Sequence, residues 1–416
     1  MTNEITSKLT SSLAIINARA LLGERFYDNV DIYTKGPLIK KIVTTKPKAL
    51  PLKSDLQKYE IVDASKLIVF PTFIDLQING NNGKLFSDCS TKDEVRDLLE
   101  PHRRSGVTAA LMTFISATFD QILRGIDIVG SIERHNPKES ILGLHLEGPL
   151  ISPAKSGIHN IGNLKTRIPK SILFELVNLA EKVPVVITLA PESTPMSLID
   201  KLLDSNIKVA IGHTGATFEQ TQKLIDRGCK LGTHIFNAMA SISGRYPGAV
   251  GALLNDDTAY ATFIADGAHL HRASIELIRR SKPHDKLILI SDALGYGKGN
   301  LKPVKIGDKL LVHRNGKYIS TPKRNLQDGL TKSKLGGSSI SLLEAVNNCR
   351  NYYGFSDEKA IKMATLNPAR YLDLEESLGH IKVGNYANLI IADSSLNIKT
   401  VILNGKLVDR ETEYSV

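Results

Sequence analysis

The sequence predicts an α/β protein, a closed (β/α)8 TIM-like barrel with a small β-sandwich formed from its N- and C-terminal segments. Strand-like and helix-like stretches alternate through the middle of the chain, eight strand-like stretches occur there, and both ends are β-rich without a helical pattern. Alternation of this kind puts a parallel sheet inside and helices outside. Eight repeats, with no GxGxxG turn after the first strand, favour a barrel over an open doubly wound sheet.

Taken in order, residues 1–66 supply the N-terminal part of the sandwich. Short strands at 13–18, 30–33 and 59–63 are separated by Gly, Lys and Pro turns. Residues 67–375 form the barrel, with strand candidates at 67–77, 108–115, 141–147, 185–190, 208–213, 230–234, 258–265 and 286–291. Amphipathic segments such as 172–180 and 218–225 lie between them and read as helices. The stretch 300–335 is basic and Gly-rich and breaks the rhythm, which predicts a hairpin or loop over the last strands. Residues 376–416 return to the β style of the start, with strands at 379–384, 387–393 and 401–405 completing the sandwich.

Composition narrows the function. With 42% hydrophobic and 23% charged residues in a chain of 416, a large soluble core is expected. The longest apolar runs are strand-sized, too short to span a membrane. The start, 1–8, lacks a basic segment followed by an apolar one, so no secretory leader is expected. Cys89, Cys229 and Cys349 are odd in number and far apart, so they make neither a disulfide framework nor a CxxC metal site. A reducing, cytoplasmic setting follows. The net charge of +10 comes without aromatics interleaved among the basic residues, which argues against nucleic acid and suits an anionic small molecule.

The chemistry sits at strand ends. Glu147 closes the third strand candidate, where Gly148 and Pro149 stop it. His213 closes the fifth, His234 the sixth and Asp292 the eighth, while Gln77 and Asn79 close the first. These are carboxyl ends, the face on which barrel enzymes carry their chemistry. One carboxylate and two imidazoles on separate strands of one rim form a metal-ligand set suited to Zn2+, with Fe2+, Co2+ or Mn2+ as other candidates. Three protein ligands leave a position for water, whose pKa a catalytic zinc brings to about 7. Asp292 is then a free carboxylate able to take and return a proton.

The motifs PTFIDLQING, HLEGP followed by KSGIH, GHTGA, THIFNAM, ADGAHLH and SDAL, in this order, resemble the amidohydrolase superfamily. More narrowly the set is similar to the N-acetylglucosamine-6-phosphate deacetylases, and NPAR at 367–370 with the 379–393 stretch extends the likeness into the sandwich. The resemblance implies hydrolysis of an acetamide on an amino-sugar phosphate. Glu147, His213 and His234 would hold one divalent metal, and Asp292 would serve as general base and then acid. His159 would hydrogen-bond the acetyl carbonyl. Asn237 and Ala238 would offer backbone N–H groups to the phosphate, Arg245 would clamp it, and His269 would contact the same end. Gln77 falls among the substrate contacts. A homodimer is implied, with Arg245 reaching the neighbouring site.

Two departures stand out. The superfamily's first-strand His-x-His is Gln77-Ile78-Asn79, and amides are poor ligands for such a metal, so a single-metal enzyme is expected. Pro71-Thr72 replaces the usual Pro-Gly. Two other readings stay open. A cyclic-amide hydrolase would commonly carry a carboxylated Lys at the end of strand four, where residues 189–192 offer none. A decayed amidohydrolase used as a scaffold is favoured by the missing His-x-His and opposed by the intact Glu147, His213, His234 and Asp292.

Overall fold

In the computed structural model the described residues are 12–44, 58–132, 139–297, 301–320 and 334–408. The start read for a leader and residues 321–333 of the basic stretch lie outside them. Eight parallel strands form the barrel in sequential order: Phe73–Ile78, Val107–Ile115, Ile141–Glu147, Val185–Leu189, Lys208–Ile211, Leu231–Gly232, Tyr260–Phe263 and Leu287–Leu289. They are numbered one to eight below.

Apolar side chains on both faces explain why these runs become inner strands: Val185–Leu189, for example, is buried at every residue. The helices begin where the sequence offers caps. Lys92–Arg104, Phe119–Gly130 and Phe218–Asp226 each start on a capping box, Thr91 with Glu94, Thr118 with Gln121 and Thr217 with Gln220. In strand three a glycine is required, because a Cβ on Gly143 would stand 2.1 Å from the Pro184 carbonyl oxygen.

Among the described residues the seam between strands one and eight has no extended ladder. It closes at the carboxyl end through the bridge Ile78–Ala293 and the bond from Asp292 N to the Gln77 carbonyl at 3.0 Å. The buried Asp75 carboxylate adds a tie, its Oδ1 accepting from Gln77 N at 3.1 Å and Ser291 N at 3.2 Å. The stretch 67–77, expected as one strand, is two. Ile68–Pro71 belongs to the sheet of the chain ends, pairing antiparallel with Leu389–Ala392, and barrel strand one starts at Phe73. Thr72 lies between, its N–H bonded to the Asn388 carbonyl.

That second sheet joins both ends of the chain. Its order is Lys406–Leu407, Ile398–Leu403, Leu389–Ala392, Ile68–Pro71, Leu13–Leu22, Arg25–Lys35 and Leu38–Val43, with Glu60–Asp63 paired to Leu13–Leu22. Leu13, Ile15, Ile32, Val69, Leu389 and Ile402 share a core of their own, apart from the barrel's. The basic stretch contains a three-stranded antiparallel sheet, Val304–Ile306, Lys309–Arg314 and Lys317–Ser320. It packs Val304, Ile306, Leu311 and Tyr318 against Leu85, Ile158 and Leu294 at the barrel's carboxyl rim. Among the described residues no helix is long and apolar enough to cross a membrane.

Candidate metal centre and active site

Strand three delivers Glu147 to the barrel mouth as its last residue, 3% exposed. Strands five and six end two residues short of His213 and His234, so both histidines sit on the turns that follow. Those turns are left-handed: φ is 49° at His213, 30° at His234 and 50° at Asp292. Ser116, just past strand two, has φ 43°. Non-glycine residues adopt this region rarely, and such outliers gather at functional sites.

Glu147 is the hub. Its Oε1 lies 3.1 Å from His213 Nε2 and 2.7 Å from His234 Nε2, and its Oε2 lies 3.3 Å from His159 Nε2. One donor atom from each of Glu147, His213 and His234 falls within 4.8 Å of the others. His213 Nδ1 donates to the Lys155 carbonyl at 2.8 Å, so Nε2 is the nitrogen turned toward Glu147. Burial alone would raise the Glu147 carboxyl. The charge of His213 and bonds from His159, His213 and His234 outweigh it and hold the group well below the carboxylate range. Burial likewise opposes a charge on His234, yet the bond and charge of Glu147 raise it. The centre therefore draws positive charge, and a carboxylate with two imidazole Nε2 atoms fits a divalent ion such as zinc.

Asp292 faces the same space without joining the ligand set. Gln77 Nε2 lies between the two carboxylates, donating to Glu147 Oε1 at 3.1 Å and to Asp292 Oδ1 at 3.0 Å. Asn79 Nδ2 also donates to Asp292 Oδ1, at 2.6 Å. Burial and the nearby Glu147 charge push the Asp292 carboxyl up to about 6, against the pull of His234, His269 and Asn79. A carboxyl poised there can act as base and as acid near neutrality. His159 is pulled down to about 4, chiefly by burial and then by the His213 charge, so its ring is neutral. Its Nδ1 lies 2.6 Å from Ser116 Oγ.

These groups line a cavity of about 350 Å³ with Asn79, Lys155, Asn237, Ala238, His269 and Lys334. The Asn237 N–H donates to the His234 carbonyl at 2.9 Å, whereas the Ala238 N–H has no partner among the described residues. His269 is held at both nitrogens, Nδ1 by Asp266 at 2.6 Å and Nε2 by the Gly336 carbonyl at 2.6 Å. Burial opposes its charge and Asp266 more than restores it, so the ring is raised above the usual histidine value. Arg245 is not brought to this cavity. It lies on the run 241–246, exposed throughout, with Tyr246 77% exposed beside it.

Sequence reasoning placed Asn79 on this rim as an amide in place of a histidine and missed its bond to Asp292; it assigned no role to Ser116, Lys155 or the glycine pair Gly336 and Gly337, which contact or line the site. Only the Gly-Gly pair carries a local signal, and it marks a turn and not a site.

The fold and the metal-ligand set together define a class. Residues 68–408 match the model of the amidohydrolase family, and the chain belongs to that family. Within it, the chain is 30% identical to the N-acetylglucosamine-6-phosphate deacetylase of Haemophilus influenzae over 80% of its own length and 84% of the relative's. It is also 30% identical to an N-acetylgalactosamine-6-phosphate deacetylase of Escherichia coli O157:H7, over 82% and 87%. Its fold is similar to the crystal structure of N-acetylglucosamine-6-phosphate deacetylase from Pasteurella multocida, with a TM-score of 0.84, 27% identity, and 95% and 99% of the two chains covered.

Proposed function

We propose that the protein hydrolyses the acetamide of N-acetyl-D-glucosamine 6-phosphate, giving D-glucosamine 6-phosphate and acetate. The observation that carries this reading is the placement of Asp292 across one cavity from Glu147, His213 and His234, with Gln77 bonded to both carboxylates. Glu147, His213 and His234 would hold one divalent metal, most suitably Zn2+, which supplies Lewis acidity to a water and to the acetyl carbonyl. Asp292 takes the water's proton as its oxygen bonds to the acetyl carbon. It then gives that proton to the amine nitrogen as the carbon–nitrogen bond breaks. His159, neutral and held by Ser116, donates from Nε2 to the acetyl oxygen.

One metal per chain is supported by the first strand, where Gln77 and Asn79 turn amide N–H groups toward Asp292 and supply hydrogen bonds where other members carry histidines. At the phosphate end, the Ala238 N–H, the charge-prone His269 and a basic surface favour a dianion. Arg245 would complete the clamp in a homodimer by reaching the neighbouring site, a reading supported by its exposure away from its own cavity. The three buried, unpaired cysteines agree with a cytoplasmic setting.

An acetate-release assay tests the reading with N-acetylglucosamine, its 6-phosphate and N-acetylgalactosamine 6-phosphate. Turnover should be fastest on N-acetylglucosamine 6-phosphate. A preference for the galacto epimer would move the substrate to that branch, and no acetate from any of the three would refute the reading.

A further inference from the structure

The three-stranded sheet at Val304–Ser320 touches the reaction centre without supplying a group to it. Lys309, half-buried, donates from Nζ to the His159 carbonyl at 2.8 Å and to the Gly157 carbonyl at 3.3 Å. Between those carbonyls Ile158 is locked into the sheet's apolar core with Leu311 and Tyr318. Gly307 lies so close to Asn160 that a Cβ there would stand 2.7 Å from its side-chain carbon. Residues 157–160 are thus gripped on three consecutive contacts. From the loop they hold, the His159 ring reaches Ser116 and Glu147. On its far edge the same sheet pairs through Ile319 with Leu335, next to Gly336, whose carbonyl holds His269.

We infer that this sheet is a clamp that positions His159, with Lys309 as its positioning residue. A hydrogen bond to an acetyl oxygen depends steeply on distance and angle, and a loop carbonyl held by an ammonium cannot drift without losing a charge-assisted bond. This inference rests on the deacetylase reading and on the role given there to His159.

The experiment is a cycle on the metal-loaded enzyme. Lys309→Met, Lys309→Arg, His159→Gln and the Lys309→Met/His159→Gln double variant are assayed for kcat and KM on N-acetylglucosamine 6-phosphate. Lys309→Met should lower kcat by about 10- to 100-fold with KM within about three-fold, as expected for lost orientation and not lost binding. Lys309→Arg should recover most of the rate. In the His159→Gln background Lys309→Met should change little, since its only route is through His159. Should Lys309→Met fail to fold, Ile158→Val loosens the same grip and should likewise act only when His159 is present. A rate loss of equal size in both backgrounds would overturn the clamp while leaving the deacetylase reading standing. A His159→Gln enzyme as fast as the parent would remove the role of His159 and the clamp with it, and no acetate from the parent would refute the function itself.

Discussion

Gln77 should set the pH at which the enzyme switches on. Its amide nitrogen donates to Asp292 Oδ1 at 3.0 Å and to Glu147 Oε1 at 3.1 Å, both deep in the barrel mouth. Gln77→Met keeps the length of the side chain and removes both donors. Each lost bond stabilised an ionised carboxylate, so the charged form of Asp292 becomes less favourable and its pKa rises. A hydrogen bond to a charged group is worth about 1.5–3 kcal/mol, and one pKa unit about 1.36 kcal/mol, so the rise should be about 1–2 units. Asp292 stands at about 6 with Gln77 present. In the proposed mechanism Asp292 must be ionised to accept the water's proton, so kcat/KM should climb as pH rises through that value. In Gln77→Met the acid limb should therefore move up to about pH 7–8, with the plateau above it approaching the parent's. Acetate release measured from pH 5 to 9 reads the limb directly. A limb left in place over a depressed plateau would show that Gln77 acts on binding or on Glu147, and that its bond to Asp292 does not tune the base.

Four further outcomes are expected. Asp292→Asn should keep fold and metal and lose about 10²–10⁴ in turnover, measured beside its circular dichroism and metal content. Elemental analysis of chelator-free protein should find one divalent ion per chain, and chelation should abolish turnover and lower the thermal midpoint until one equivalent is returned; two tightly held ions would refute the single-metal reading. Burial pushes Asp75 up to about 7 in the fold, opposed by Ser291 and Gln77, so the folded state binds a proton that the unfolded chain has released, and parent stability falls as pH rises from its ordinary value of 3.8 through about 7. Asp75→Asn lacks that loss, so the difference in unfolding free energy, variant minus parent, should grow across this window by up to about 4 kcal/mol, and a flat difference would refute it. Finally, Arg245→Ala should weaken phosphorylated substrate by about 10- to 150-fold and its unphosphorylated analogue far less, and mixing it with Asp292→Asn chains should restore activity if each site borrows Arg245 from its partner.

Much of this architecture is written in short-range pattern. Strand three runs over Ile141–Glu147 as the apolar pattern and the Gly148-Pro149 stop require, and Glu147, His213, His234 and Asp292 could be placed on one rim because parallel strands all end on the same side. What stayed hidden depends on distant partners. The split at Thr72 is hidden because Ile68–Pro71 and Phe73–Ile78 both read as buried strand; only Leu389–Ala392, over 300 positions later in the chain, claims Ile68–Pro71. The bridging of Gln77 between two carboxylates needs three strands in register. Lys309 is one of many lysines until the sheet that carries it folds back on His159. The left-handed turns at His213 and His234 leave only a faint residue-type signal, since histidine is enriched there over other side chains yet is mostly found elsewhere.

Those turns bear on how such a gene would age. A left-handed non-glycine residue costs about 1–3 kcal/mol, and the barrel holds one at His213, at His234 and at Asp292. Glycine or asparagine at any of them would ease the backbone while erasing the chemistry. At Asp292, outside the proposed ligand set, such a change is opposed by selection on turnover while the backbone favours it; at His213 and His234 the lost ion would cost stability as well. Once a lineage no longer needed the reaction, the site would be lost before the fold. The silent descendants would be well-folded barrels, told apart from their working ancestor first at Asp292.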